Sequence, residues 1–250
     1  MLPARRRDEI ASMVTRRGSV PLAEIAAEIG VSEATARRDV DQLAAEGRIA
    51  RVYGGALALG TVEEPFAFSD STDRPQKTKI ARAAADLVSD GDVVILDIGS
   101  TVLELARLLS GRAITVITSN LAAYEVLRDA APTELVLIGG SVRRNYLSTV
   151  GFLAENAMAQ LHADTVFLGT SGIAVTGVVR DTTPVEVAVK KQMIASSDKV
   201  VLLAAERKFP GTGMSVICEA SDVDVVVTSK VTDPAYLVPF ERKGVRVITV

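Results

Sequence analysis

Residues 31–56 read VSEATARRDVDQLAAEGRIARVYGGA. Ser32 is suited to cap a helix, because its hydroxyl can accept from amides that the first turn leaves without partners. A helix from Glu33 to Glu46 follows, and Gly47 stops it. On a helical wheel Ala36, Val40 and Leu43 fall together and are predicted to be buried. Ala34, Thr35, Arg38, Asp41 and Gln42 take the opposite side, with Arg37 on the flank. The alternation Arg48-Ile49-Ala50-Arg51-Val52-Tyr53 suits a strand, and Gly54-Gly55 closes it. A capped helix followed by a small hairpin is the layout of a recognition helix and its wing.

Upstream, Pro3 to Arg16 reads as a first helix, with Ile10, Met13 and Val14 on one face and Gly18 as its stop. Pro21 opens a second helix, Leu22–Ile29, and Gly30-Val31 turns the chain. Residues 1–58 thus form an all-α winged helix-turn-helix whose third helix is predicted to enter the major groove of double-stranded DNA. Arg38 is placed to reach guanine edges, with Gln42 or Thr35 reading neighbouring bases. Arg37, on the flank, suits phosphate, as do Arg5, Arg6, Arg7 and Arg51. Tyr53 either packs beneath the wing or touches DNA.

Charge alone would not reveal this unit. The chain of 250 residues carries a formal charge of −3. Residues 1–58 hold nine arginines against eight acids, so the remainder stands at −4. A hydrophobic fraction of 48% and a mean hydropathy of +0.27 supply a large core. No apolar run approaches a membrane span, and Asp8 and Glu9 fall where a signal peptide needs apolar residues, so a cytoplasmic protein is expected. With Cys218 the only cysteine and His162 the only histidine, neither a disulfide nor a zinc cage is expected, and no cofactor is called for. His162, beside Leu161 and ahead of Asp164, reads as structural.

Residues 59–76 contain Pro65, Pro75 and a Ser/Thr/Asp cluster, and read as a linker with some ordered contacts. Residues 77–250 alternate Val/Ile/Leu runs with helical patterns. The runs are 93–97, 114–118, 135–138, 165–168, 199–204, 223–228 and 245–250; the helices are 80–89, 102–109, 122–130, 153–161 and 186–195. Apolar runs without strict alternation mean strands covered on both faces, hence an open, mostly parallel, doubly wound α/β sheet. In such sheets ligands bind beyond the carboxyl ends of the strands. Asp97-Ile98-Gly99-Ser100-Thr101 ends a strand and opens a helix, where amides and hydroxyls can hold a phosphate. Thr118-Ser119-Asn120, Gly139-Gly140 and Gly169-Thr170-Ser171-Gly172 are further polar strand ends. Arg143 and Lys208 are candidates to complete an anion site. Glu186, Lys190 and Lys191 share one helix, where Glu186–Lys190 is an i,i+4 pair.

These residues together resemble the DeoR family of transcriptional repressors over nearly the whole chain. The family signature S-E-x-T-x-R-R-D-x-x-x-L-x-x-x-G-x-x-x-R-x-x-G-G-A is matched by Ser32, Glu33, Thr35, Arg37, Arg38, Asp39, Leu43, Gly47, Arg51, Gly54, Gly55 and Ala56. The remainder resembles the family's sensor domain, which is similar in fold to ribose-phosphate isomerases and CoA transferases. It does so through Lys79-Ile80-Ala81, Asp97-x-Gly99-Ser100-Thr101, Thr118-Ser119-Asn120, Leu137-Ile138-Gly139-Gly140, Phe167-Leu168-Gly169 and Lys208-Phe209. Val102, Ala205-Glu206-Arg207 and Ser229 depart from the family pattern, which commonly shows threonine, Asp-Ser-Ser and aspartate there.

The resemblance implies a repressor of a carbohydrate operon, released by a phosphorylated sugar or related metabolite, and not an enzyme. Effector contacts would come from Asp97, Gly99, Ser100, Thr101, Asn120, Gly139, Gly140, Arg143 and Lys208. A homo-oligomer on paired half-sites is expected, since one small helix-turn-helix offers little interface. The rival reading is a sugar-phosphate isomerase-like enzyme with an appended DNA-binding domain, for which Asp97 and Glu186 are the obvious acids.

Overall fold

The structure is a computed structural model that describes residues 3–17, 19–52, 54–58, 66, 72–231 and 233–250. The chain divides into two compact units, the second beginning at Pro65. In the first, helices α1 (Pro3–Arg17), α2 (Leu22–Ile29) and α3 (Glu33–Ala45) enclose Ile10, Val14, Ile25, Ala36, Val40 and Leu43, all at or near zero exposure. Gly30 ends α2 in the left-handed region at φ 72°, which turns the chain into α3.

The wing has one strand more than the sequence suggests. Strand β2 (Ile49–Val52) pairs antiparallel with β3 (Gly55–Ala58), and β1 (Ser19–Pro21) adds to the other edge of β3. Three residues beside a proline carry no strand pattern, so only the partner strand reveals β1. Gly55 makes the pairing possible: a Cβ there would lie 2.5 Å from the Val20 carbonyl oxygen. Tyr53 lies outside the described residues, as do residues 59–65 and 67–71 of the predicted linker.

In the second unit α4 runs Arg74–Ala85, and so starts six residues before the predicted Ile80. Pro75 had suggested a linker, yet it sits in the helix's first turn, where its missing amide costs nothing. All seven apolar runs enter one parallel sheet. These strands are β4 (Val93–Leu96), β5 (Thr115–Thr118), β6 (Glu134–Leu137), β9 (Ala163–Leu168), β12 (Ser197–Ala204), β14 (Val225–Thr228) and β15 (Arg246–Thr249). Their order is β15-β14-β12-β9-β4-β5-β6.

Alternate residues bury on opposite faces. Val94, Leu96, Phe167, Val201 and Leu203 pack with Ile80 and Ala84 of α4, with Val102 and Leu105 of α5 (Ser100–Leu109), and with Ala123 and Leu127 of α6 (Leu121–Leu127). Ile95, Val166, Leu168 and Leu202 pack with Met158 of α7 (Phe152–Met158) and Met193 of α8 (Pro184–Ala195). Burial on both faces explains the unbroken apolar runs.

Two small antiparallel assemblies escaped the sequence reading. Strands β7 (Ser141–Arg143) and β8 (Ser148–Val150) form a hairpin, and β10 (Gly172–Ile173), β11 (Val179–Asp181) and β13 (Ser215–Cys218) a three-stranded sheet. Among the described residues no helix is long and apolar enough to cross a membrane.

Candidate functional site

The exposed side of α3 is built from its cap outward. Ser32 Oγ accepts from the Thr35 amide at 3.3 Å, and the two hydroxyls lie 3.0 Å apart. Four arginines of this unit, Arg5, Arg6, Arg48 and Arg51, have acidic partners. Arg6 donates to both Asp39 oxygens, at 2.6 and 3.1 Å, and ties α1 to the buried face of α3. The expected phosphate role of Arg6 is therefore replaced by a structural one. Arg51 lies 2.8 Å from Asp41, Arg48 2.7 Å from Asp8, and Arg5 3.7 Å from Glu9. Gln42 donates to Glu46 at 3.0 Å and stays exposed, as does Glu33. Arg37 and Arg38 are exposed, and neither side chain has an ion pair among the described residues. They are the guanidinium groups on α3 left for an outside partner.

The position of the second site follows from topology. Chain order runs outward from β4 toward β6 on one side and from β9 toward β15 on the other, so the direction reverses between β4 and β9. Ligand crevices of open α/β sheets lie at such switch points. A cleft opens there, lined after β4 by Ile98–Val102, after β9 by Gly169–Ser171, and after β12 by Ala205, Arg207 and Lys208. Lys77, Tyr146, Asp181 and Lys190 complete its wall. Gly99 has φ 111°, and the first turn of α5 follows directly, where helix amides lack intrahelical partners. Gly169 is also obligatory, since a Cβ there would come within 2.7 Å of the Ile98 carbonyl oxygen.

Beneath the cleft floor lies an ionic hub. The Lys190 ammonium, 1% exposed, donates to Asp97, reaches the Gly169 carbonyl oxygen at 3.2 Å, and lies 3.5 Å from Asp181. Burial by itself lowers the pKa of Lys190, but Asp97, Asp181 and Glu186 outweigh it and hold the amine above its ordinary range. Asp97 also accepts from the Gly169 amide at 2.8 Å, which clamps the end of β4 to the end of β9. Asp181 in turn accepts from Ser171 Oγ at 3.0 Å and from the Thr182 amide at 2.7 Å.

A third buried carboxylate sits nearby on α8. Glu186 accepts from Arg143 and from Ser148 Oγ, the latter at 2.6 Å. Burial raises its pKa, and the Ser148 and Arg143 contacts only partly offset that. The i,i+4 neighbours Glu186 and Lys190 thus make their direct contacts elsewhere, Glu186 with Arg143 and Ser148 and Lys190 with Asp97 and Asp181, while their opposite charges still favour one another.

Of the predicted ligand residues, Gly99, Ser100, Thr101 and Lys208 line the cleft. Asp97 lies behind it as the counter-ion of Lys190. Asn120 is fully buried, caps α6 by accepting from the Ala122 and Ala123 amides, and donates to the Asp97 carbonyl at 3.3 Å. Gly140 packs against β8, where a Cβ would meet the Val150 carbonyl oxygen at 2.7 Å; Gly139 faces open space. Arg143 is committed to Glu186, and neither it nor Gly139, Gly140 or Asn120 lines this cleft. Two departures from the family pattern meet: Ser229 Oγ accepts from the Glu206 amide at 2.9 Å, which leaves Arg207 and Lys208 along the cleft.

Lys77, Tyr146 and Asp181 were not singled out from sequence. Lys77 was legible only as a boundary, although it is 1% exposed on α4. His162 stays exposed, 3.1 Å from Asp198. Among the described residues no cluster of His, Cys, Asp and Glu could hold a metal ion.

A winged helix-turn-helix on the same chain as an α/β domain with a cleft at its switch point defines a class: DNA-binding transcriptional regulators that carry a sensor domain. Residues 6–62 match the DeoR-like helix-turn-helix domain, and residues 72–230 the DeoR C terminal sensor domain. The chain is 32% identical over 252 residues to the uncharacterized HTH-type transcriptional regulator YulB of Bacillus subtilis, spanning 100% of this chain and 98% of that one. It is 30% identical to the HTH-type transcriptional repressor GlcR of Bacillus subtilis, over 96% of this chain and 93% of that one. A putative aga operon transcriptional repressor of Escherichia coli O157:H7 is 28% identical, over 98% and 93%. Among solved structures, the ribose 5-phosphate isomerase A of Methanocaldococcus jannaschii overlaps 55% of each chain at 19% identity and a TM-score of 0.42, a partial likeness that says nothing of activity. The chain belongs to the DeoR family of transcriptional regulators.

Proposed function

We propose that this regulator represses a carbohydrate operon, acts as a homo-oligomer, and leaves its operator when a phosphorylated sugar fills the cleft. The observation that carries the reading is the charge of the cleft. Its ionisable lining is Lys77, Lys190, Arg207 and Lys208 against Asp181, around the N-terminus of α5; Lys190 is balanced by Asp97 and Asp181, so the basic character comes from Lys77, Arg207 and Lys208. That combination favours an anion with a compact, multiply accepting head, such as a phosphate ester. Asp181, which already accepts from Ser171, is positioned to take a sugar hydroxyl. The direction of regulation draws on relatives whose names call them repressors, GlcR and the aga operon repressor. Oligomerisation draws support from apolar groups left exposed on α7, Phe152 at 70% and Leu153 at 57%.

The enzyme reading needs a carboxylate poised as a base. Asp97 is held by Lys190 and Gly169, and Glu186 by Arg143 and Ser148. Burial pushes the Cys218 thiol up to about 12, which leaves no thiolate at neutral pH. Sensing without turnover fits these saturated groups. The test is thermal shift of the full chain with pentose and hexose phosphates, followed by a chromatographic assay for isomerisation of any that bind. Binding without conversion supports the reading; conversion would overturn it.

A further inference from the structure

We infer that Tyr146 is the positioning residue through which an occupant of the cleft acts on the segment that leads to the DNA-binding unit. The inference rests on the proposed ligand reading above and adds the route by which it is relayed. Tyr146 lines the cleft. Its ring also meets Phe66 edge-on, with centroids 6.3 Å apart and planes at 74°. Phe66 lies, along the sequence, between Ala58 at the end of the wing and Arg74 at the start of α4. It is 5% exposed, and its amide donates to the Asn145 carbonyl at 2.9 Å. One loop, residues 144–147, therefore touches the cleft with one side chain and holds Phe66, near the start of the second unit, with the same side chain and the neighbouring carbonyl.

The loop is braced at both ends, which leaves the Tyr146 ring between the anchors to respond to an occupant. Both of its ends are pinned through one buried acid, because Arg143 and Ser148 each donate to Glu186. The Leu121 amide donates to the Leu147 carbonyl at 2.8 Å, which fixes the far end to α6. Between these anchors Leu147 adopts φ 53°, a left-handed conformation that a branched side chain rarely takes. Such outliers persist where surrounding contacts over-determine them, and they cluster at switch regions. The Arg143 guanidinium lies over the Tyr146 ring at 5.6 Å from its centroid, so the ring has, besides Phe66, a neighbour that sets its tilt. A ligand pressing on Tyr146 changes the ring's contact with Phe66 while Glu186 keeps the hairpin in place. Packed side chains with alternative arrangements are what carry coupling between sites.

The chain contains no tryptophan, so Phe66→Trp places a single reporter at the contact. The full-length variant is titrated with inorganic phosphate and with ribose 5-phosphate, following tryptophan emission and, in parallel, heat of binding. The expected result is saturable heat with an emission change at the same midpoint. In Phe66→Trp combined with Tyr146→Ala, the midpoint moves because the ring is part of the cleft wall, and at probe concentrations that saturate the heat the emission change is lost; with Tyr146→Phe, which keeps the ring, it is retained. Heat without any emission change in the first variant overturns the relay and leaves the ligand reading standing. Absence of heat from either probe in the folded protein overturns both. Should the tryptophan prevent folding, hydrogen exchange of the Phe66 amide, which donates to the Asn145 carbonyl, gives the same reading in a chain that keeps Phe66: saturating probe alters its rate severalfold, and not in Tyr146→Ala.

Discussion

Arg37 and Arg38 are neighbours in sequence to which the proposed mode of DNA binding gives different tasks. Arg38 lies opposite the buried Ala36–Val40–Leu43 face, whereas Arg37 lies on the flank. Arg38→Ala is expected to cost about 1–3 kcal/mol in operator binding and to relax discrimination at one base position. Arg37→Ala should weaken all sequences alike and lower the salt dependence. Anisotropy titrations on operator and single-base variants separate the two; unchanged discrimination in Arg38→Ala contradicts the assignment. In the second unit, Lys190→Met removes the cation between Asp97 and Asp181 and strands buried carboxylates, at a cost of about 3–5 kcal/mol. Urea unfolding of the α/β domain reads that loss, and an unchanged midpoint would contradict the hub. Glu186 sets a pH signature. Its pKa is raised in the folded state, so its ionisation is penalised at neutral pH and the penalty vanishes below the ordinary carboxylate value of about 4.5. The wild type should therefore gain stability relative to Glu186→Gln as pH falls from 7 toward 4.5, in paired thermal melts. A difference that stays flat or moves the other way would show that Glu186 is not held as described.

At the level of elements, Gly54 and Gly55 are adjacent but fail for different reasons. Gly54 has open space around it and φ 81°, so Gly54→Ala costs roughly 1–2 kcal/mol of backbone strain. Gly55 lacks that strain but faces the Val20 carbonyl oxygen, so Gly55→Ala must push β1 away from β3, at about 1–3 kcal/mol. Amide exchange of β1 and β3 tells them apart: Gly55→Ala frees the Val20 and Ala56 region, and Gly54→Ala does not. The same contrast shows what the chain makes legible. The inner parallel strands were readable because two covered faces demand continuous apolar runs such as Val93–Leu96 and Val225–Thr228, and the edge strands β6 and β15 because their runs stay apolar although half-exposed. The cap at Ser32 and the Gly99-Ser100-Thr101 turn were readable because their chemistry is local. Strand β1 and the Lys190–Asp97 pair were not, since each is defined by a partner distant in sequence, 93 residues away in the last case, and the β7–β8 hairpin was not because its short strands carry no alternation to read. Helical spacing nominated Glu186 for Lys190, and tertiary packing gave each a different partner.

For the whole molecule, two helix-turn-helix units on one operator multiply affinity through effective concentration, so sedimentation at micromolar concentration should show an oligomer. Its half-sites should fall about 10 base pairs apart, or a multiple of that, in footprints. A monomer that still binds operator tightly would contradict this. Induction requires only that the ligand prefer the arrangement that binds DNA poorly. A tenfold loss of operator affinity needs about 1.4 kcal/mol of coupling, within the ordinary range for linked sites. The claim on which the rest depends is that the cleft between β4, β9 and β12 binds a phosphorylated sugar. Its most direct test is calorimetric titration of the folded full-length protein with pentose and hexose phosphates, with the unphosphorylated sugars as controls and Lys208→Ala as the cleft variant. The account predicts saturable binding of at least one phosphate ester, weakened in Lys208→Ala and absent for the parent sugar. Uniform failure to bind, or binding indifferent to both the phosphate and Lys208, would contradict it.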